Sequence, residues 1–189
     1  MIFSENRYPL FGIMLWRERQ SPFMRTAMSP TTSPGLPPSF LSHAELDTVI
    51  RLAPLVAIDL IIRNARDEVL LGLRRNEPAK GCYFVCGGMI LKDERLADAF
   101  ARLVKNETGH DASLDDARLL GVFEHFYDRN RSGRVGYGTH YVVLGYEFSW
   151  PSAVPPTPDD QHSELRWWPV PDLLASDRVH DNTKAYFRR

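Results

Sequence analysis

Cysteine is scarce in this 189-residue chain, with two in all, Cys82 and Cys86. At C-x3-C spacing they provide neither a disulfide framework nor the four ligands of a structural zinc site. They read as reduced thiols in a cytoplasmic strand. An excess of one charge is also lacking, since 23 Lys+Arg stand against 24 Asp+Glu for a net charge of −1. That balance argues against a nucleic-acid binder built on a broad cationic face. No apolar run approaches the ~20 residues that span a bilayer. The longest early one, Pro9 to Trp16, meets Arg17-Glu18-Arg19 where a signal peptide would carry small residues. A protein of the cytoplasm, with no membrane and no nucleic-acid partner, is the expectation.

Proline is not scarce, but it is unevenly placed. Six of the 14 prolines fall in residues 1–39, four of them between Ser29 and Pro38. Each removes a backbone donor and restrains φ, so this stretch resists both helix and central strand and reads as an extended N-terminal tail. Residues 40–189 are long enough for one core. Ser42 and Glu45 have capping-box spacing and predict a helix to about Ile50, stopped by Pro54. Apolar, β-branched runs predict strands over Leu55–Ile62, Val69–Leu73, Tyr83–Cys86, Leu119–Phe126, His140–Phe148 and Leu165–Val170. Leu96, Ala99, Phe100, Leu103 and Val104 recur at three and four, which predicts a helix capped by Gly109. Short helices follow at Pro171–Ser176 and Asn182–Phe187. The sum is α/β (α+β), a mixed β-sheet sandwiched between helices.

The chemistry concentrates between Gly87 and Gly109. Gly87-Gly88 can turn the backbone sharply, presenting carbonyls to a cation or amides to phosphate. Glu94 and Arg102 lie eight residues apart, a little over two turns, near one helix face, and could tie the loop to the helix. By themselves these residues describe equally well a loop–helix unit with surface charges. Asp59 is conspicuous for another reason. It interrupts Val56-Ala57-Ile58-Asp59-Leu60-Ile61-Ile62, so it is either a buried carboxylate that needs partners or a residue on an exposed sheet face.

Gly88, Glu94, Arg102, Val104, Glu107 and Gly109 match the Nudix box G-x5-E-x7-R-E-U-x-E-E-x-G-U, where U is a bulky aliphatic. Leu103 and Asn106 stand where the box has glutamates, and His110 replaces its last aliphatic. That pattern resembles the GDP-mannose mannosyl hydrolase branch of the Nudix hydrolases. So do Leu70-Leu71-Gly72 before Arg74, His125-Phe126-Tyr127-Asp128, Thr139-His140-Tyr141, Pro158-Asp159-Asp160-Gln161-His162 and Arg166-Trp167. The resemblance covers about Phe40 to Phe187 and implies a Nudix fold. It also implies water attack at the anomeric carbon of a GDP-sugar.

Site roles follow from the resemblance alone. Gly87, Glu107 and Gln161 would hold one Mg²⁺ per subunit, or Mn²⁺ in its place. His162, in a loop, would be the general base. Arg74 would face the leaving diphosphate, which His125 and Tyr141 contact, and Asp59 would lie near the reacting end of the sugar. Gly88, Glu94, Arg102 and Gly109 would be structural, and subunits would pair as a homodimer. Two residues depart from the branch: Met89 replaces a usual arginine, and Cys86 a usual proline. Two other readings stay open, a Nudix pyrophosphohydrolase that cuts at phosphorus and a non-catalytic sugar-nucleotide sensor.

Overall fold

The structure, a computed structural model, describes residues 41–188 apart from 78, 131, 151–155 and 158–161. The N-terminal tail, and Asp159, Asp160 and Gln161, lie outside the described residues. Helix α1 (His43–Leu52) opens as its sequence predicts. The Ser42 hydroxyl accepts from the Glu45 amide, and the Glu45 carboxylate accepts from the Ser42 amide at 2.8 Å. Strand β1 (Leu55–Arg63) turns into β2 (Val69–Arg74) around Asn64. The Asn64 side-chain oxygen accepts from the Arg66 and Glu68 amides at 2.9 and 3.0 Å, closing the turn locally.

Strand β3 (Tyr83–Met89) is followed by helix α2 (Leu96–Thr108), β4 (Arg118–Tyr127), β5 (Thr139–Ser149) and β6 (His162–Trp168). Short helices α3 (Val170–Ala175) and α4 (Asp181–Ala185) close the chain. The six strands form one mixed sheet in the order β4-β5-β1-β3-β2-β6, with β1 and β5 parallel and the other neighbours antiparallel. Alternation along β1 then builds two cores. Ile58, Leu60 and Ile62 pack with Ala99, Phe100, Leu103 and Val104 of α2. Ile61 joins Leu71, Tyr83 and Val85 against Leu173, Val179 and Tyr186 from the C-terminal segment. Helix α2 ends as expected, with Gly109 at φ +76° donating its amide to the Lys105 carbonyl at 2.9 Å.

Two expected boundaries move. β3 does not stop at Cys86 but runs through both glycines to Met89, because β1 continues opposite it in the pairs Asp59–Gly87, Ile58–Gly88 and Ala57–Met89. A Cβ at Gly87 would lie 2.3 Å from the Ile58 carbonyl oxygen, so glycine is what lets the strands approach there. β6 begins at His162, three residues before the expected Leu165. It pairs with β2 as far as Arg74 across an irregularity between Gly72 and Arg74.

Candidate functional site

A cleft of about 420 Å³ opens where β1, β2, β3, β4 and β5 meet the C-terminal half of α2. Asp59, Arg74, Gly87, Gly88, Arg102, Glu107, His125 and Tyr141 all line it, although they come from six elements spread over more than 80 residues. The register explains the convergence. Asp59 stands beside Gly87 on one neighbouring strand and Gly145 on the other, and His125 pairs directly with Tyr141.

Asp59 lies deep in the wall, 6 % exposed. The Tyr186 hydroxyl donates to its Oδ2 at 2.7 Å and lies 3.4 Å from Nε2 of His125, whose Nδ1 is 3.9 Å from the same carboxylate oxygen. Gly145 makes room for this group: a Cβ there would come 3.0 Å from the Tyr186 ring. Burial pushes the Asp59 carboxyl up to about 7, against the opposing pull of the Tyr186 hydrogen bond and the Arg74 charge. Burial pushes His125 down to about 4, helped by His180. The pair is therefore a carboxyl that titrates near neutrality beside a neutral imidazole. Tyr127, on the same cleft wall, is held well above the usual phenol range, chiefly by burial. Arg74 lies over the Phe84 ring, 6.0 Å from its centroid, on the same side of the site.

The opposite wall comes from α2. Arg102 Nε donates to Glu94 Oε1 at 2.6 Å, and its Nη2 donates to Glu94 Oε2 at 2.8 Å and to the Met89 carbonyl at 3.0 Å. Glu94 Oε2 also accepts from the Leu91 amide at 2.9 Å. This fork clamps the segment after β3 onto the helix. One turn and a little further along α2, Glu107 is 1 % exposed, with Oε2 3.4 Å from Nδ1 of His162. Leu103 and Asn106 line the cleft beside Glu107, bringing no charge to it.

His162 is placed differently from its sequence expectation. It is not in an exposed loop but at the first residue of β6, 2 % exposed, and it is not among the residues lining the cleft. Its ring sits against Gly72, where a Cβ would come within 2.2 Å of His162 Cδ2. Glu94 and Gly109 also stay out of the cleft lining. Tyr186 had no local signal, because its partner Asp59 is 127 residues away. The one available hint was that a carboxylate inside an apolar strand requires a donor. Among the described residues no helix is long and apolar enough to cross a membrane.

The NUDIX domain model matches residues 53–189. The low-salt glycan biosynthesis protein Agl8 of Haloferax volcanii is 36 % identical over 135 residues, covering 71 % of this chain and 83 % of that protein. An ADP-ribose pyrophosphatase of Methanocaldococcus jannaschii is 38 % identical over 84 residues, 44 % of this chain and 47 % of that one. A MutT NUDIX hydrolase structure from Burkholderia pseudomallei superposes with TM-score 0.58 at 26 % identity, covering 70 % of this chain and 95 % of that one.

Proposed function

The chain belongs to the Nudix hydrolase family, and from that premise we propose that it hydrolyses a GDP-hexose, GDP-mannose first, to GDP and free sugar by water attack at the anomeric carbon. One observation carries the choice of carbon over phosphorus. Of the three places on α2 where the Nudix box has acids, only Glu107 presents a carboxylate to the cleft, beside apolar Leu103 and the Asn106 amide. Attack at phosphorus with several metal ions gathered along the helix needs more carboxylates than α2 offers here, Asp59 and Glu77 reaching the cleft from other elements. A relative named for glycan biosynthesis is consistent with a sugar-bearing substrate.

The donor set suits one hard ion. Glu107 and Gly87 both line the cleft, and Mg²⁺ takes one or two carboxylates from protein while substrate oxygens and water supply the rest. Glu107, the Gly87 carbonyl and Gln161 would hold it, Gln161 lying outside the described residues. When bound, Mg²⁺ or Mn²⁺ would supply positive charge for the β-phosphate as the glycosidic C–O bond breaks.

The protein's own groups supply the rest. Arg74 faces the leaving diphosphate, and His125 and Tyr141 orient it from the paired strands. Asp59, held by Tyr186, anchors the sugar at the reacting end. His162 takes the proton as the water oxygen bonds to the anomeric carbon, a contribution of ~10²–10⁴-fold. For this role the imidazole has to reach the cleft from its seat over Gly72, where its Nδ1 already stands 3.4 Å from Oε2 of the cleft-lining Glu107. Two such subunits form the working homodimer. On edge strand β4, Leu119, Val122 and Phe126 expose apolar surface suited to such pairing.

A second reading has its own support in the relative named an ADP-ribose pyrophosphatase. A panel of nucleotide sugars incubated with Mg²⁺, with both products identified, separates the two. GDP plus free hexose is expected. Nucleoside monophosphate plus sugar phosphate would replace this proposal with the pyrophosphohydrolase.

A further inference from the structure

Behind the Glu107 wall lies a group that the reaction above does not use in full. Cys86, Glu107 and His162 are all buried, and one ligand atom from each lies within 4.8 Å of the others. They come from β3, α2 and β6. From this S, O and N set we infer a binding site for a thiophilic divalent ion of the zinc class, distinct in chemistry from the oxygen-only Mg²⁺ set.

Three observations support the assignment. Zinc bonds of ~2.0–2.3 Å at tetrahedral angles put neighbouring ligand atoms about 3.3–3.6 Å apart. His162 Nδ1 and Glu107 Oε2 already stand at 3.4 Å. Cys86 Sγ lies no further than 4.8 Å from either co-ligand atom, so reaching bonding range asks for a contraction of at most about 1.5 Å. Next, the imidazole has a built seat, since any side chain larger than glycine at Gly72 would collide with its ring. Finally, Cys86 immediately precedes the Gly87-Gly88 pair and is buried with Phe100, Leu103 and Val104, an apolar setting that shields a sulfur ligand from water. Mg²⁺ requires hard oxygen ligands, whereas a thiolate with an imidazole selects Zn²⁺ or Co²⁺. Because Glu107 lines the cleft, the ion enters from there. Binding expels the Cys86 thiol proton and uses the His162 Nδ1 lone pair, leaving the imidazole proton on Nε2.

The site rests only on geometry, but its consequence rests on the proposed hydrolysis. An ion held here engages Glu107 and keeps His162 in its seat, so it opposes Mg²⁺-dependent turnover. The test reads binding without substrate, so the fate of the hydrolase reading cannot mask it. The full chain, stripped with chelator, is titrated with Co²⁺ as the spectroscopic substitute for Zn²⁺. A thiolate-to-cobalt charge-transfer band is expected, saturating at one ion per chain, displaced by equimolar Zn²⁺ but not by a hundredfold excess of Mg²⁺. Cys86→Ser and His162→Ala lose the band, and Cys82→Ser keeps it. Absence of the band in the wild-type chain overturns the site, whatever the variants do. So does a band that survives Cys86→Ser or disappears in a folded Cys82→Ser.

Discussion

Replacing Asp59 by asparagine should make the protein more stable at alkaline pH. The Asp59 carboxyl is raised from 3.8 to about 7, so between those values the folded state holds a proton that the unfolded chain has released. Stability from this group is full at low pH and is lost as pH rises, by about 1.4 kcal/mol per unit and about 4 kcal/mol in all. His125 works in the opposite sense. Its folded value is lowered from 6.5 to about 4, so its stabilisation is present above the unfolded value and is lost, by about 3 kcal/mol, as pH falls through that window. From about pH 4 to 6.5 the two slopes nearly cancel, which hides both in the wild-type chain. Asp59→Asn keeps the shape and still accepts the Tyr186 hydrogen bond, but removes one slope. Urea unfolding followed by tryptophan fluorescence at pH 5 and pH 8 isolates the difference. The variant's advantage over wild type should grow by about 3 kcal/mol between these two values, with hydrolysis lost throughout. An advantage that stays constant or shrinks would refute the buried-carboxyl assignment.

Removing the hydroxyl in Tyr186→Phe takes a 2.7 Å donor from Asp59. The carboxyl should therefore rise further, extending the window over which stability falls with rising pH upward by about one unit; an unmoved window contradicts the link. Arg102→Ala leaves the Glu94 side chain, itself 2 % exposed, without the guanidinium fork and should cost about 3 kcal/mol in chemical unfolding. A loss under 1 kcal/mol would show that the clamp is incidental. Gly72→Ala drives a methyl group into the His162 ring, so a loss of about 1–3 kcal/mol is expected, together with a weakened cobalt band. Unchanged stability would mean that the imidazole does not occupy this seat.

Local rules made much of the architecture legible. The Ser42–Glu45 box, the three-and-four spacing of α2 and its Gly109 cap each act within a few residues, and the structure realises all three. The Glu94–Arg102 pair was also expected, but Glu94 stands just before α2 and reaches Arg102 from the loop, so the pair ties loop to helix instead of lying along one helix face. What the sequence hid depends on register. That Asp59 faces inward follows from its position between Gly87 and Gly145, and its donor arrives from the C-terminal segment. His162 follows a run of proline and aspartate that reads as loop, yet pairing with Arg74 draws it into β6. Its contact with Gly72 crosses two strands and leaves no trace in either local sequence.

The most direct measurement runs the reaction in ¹⁸O-labelled water and follows the label by mass spectrometry. Incorporation into the released hexose, with unlabelled GDP, is the predicted result. Label in a phosphate group would contradict attack at carbon and with it the roles given to Asp59, Glu107 and His162.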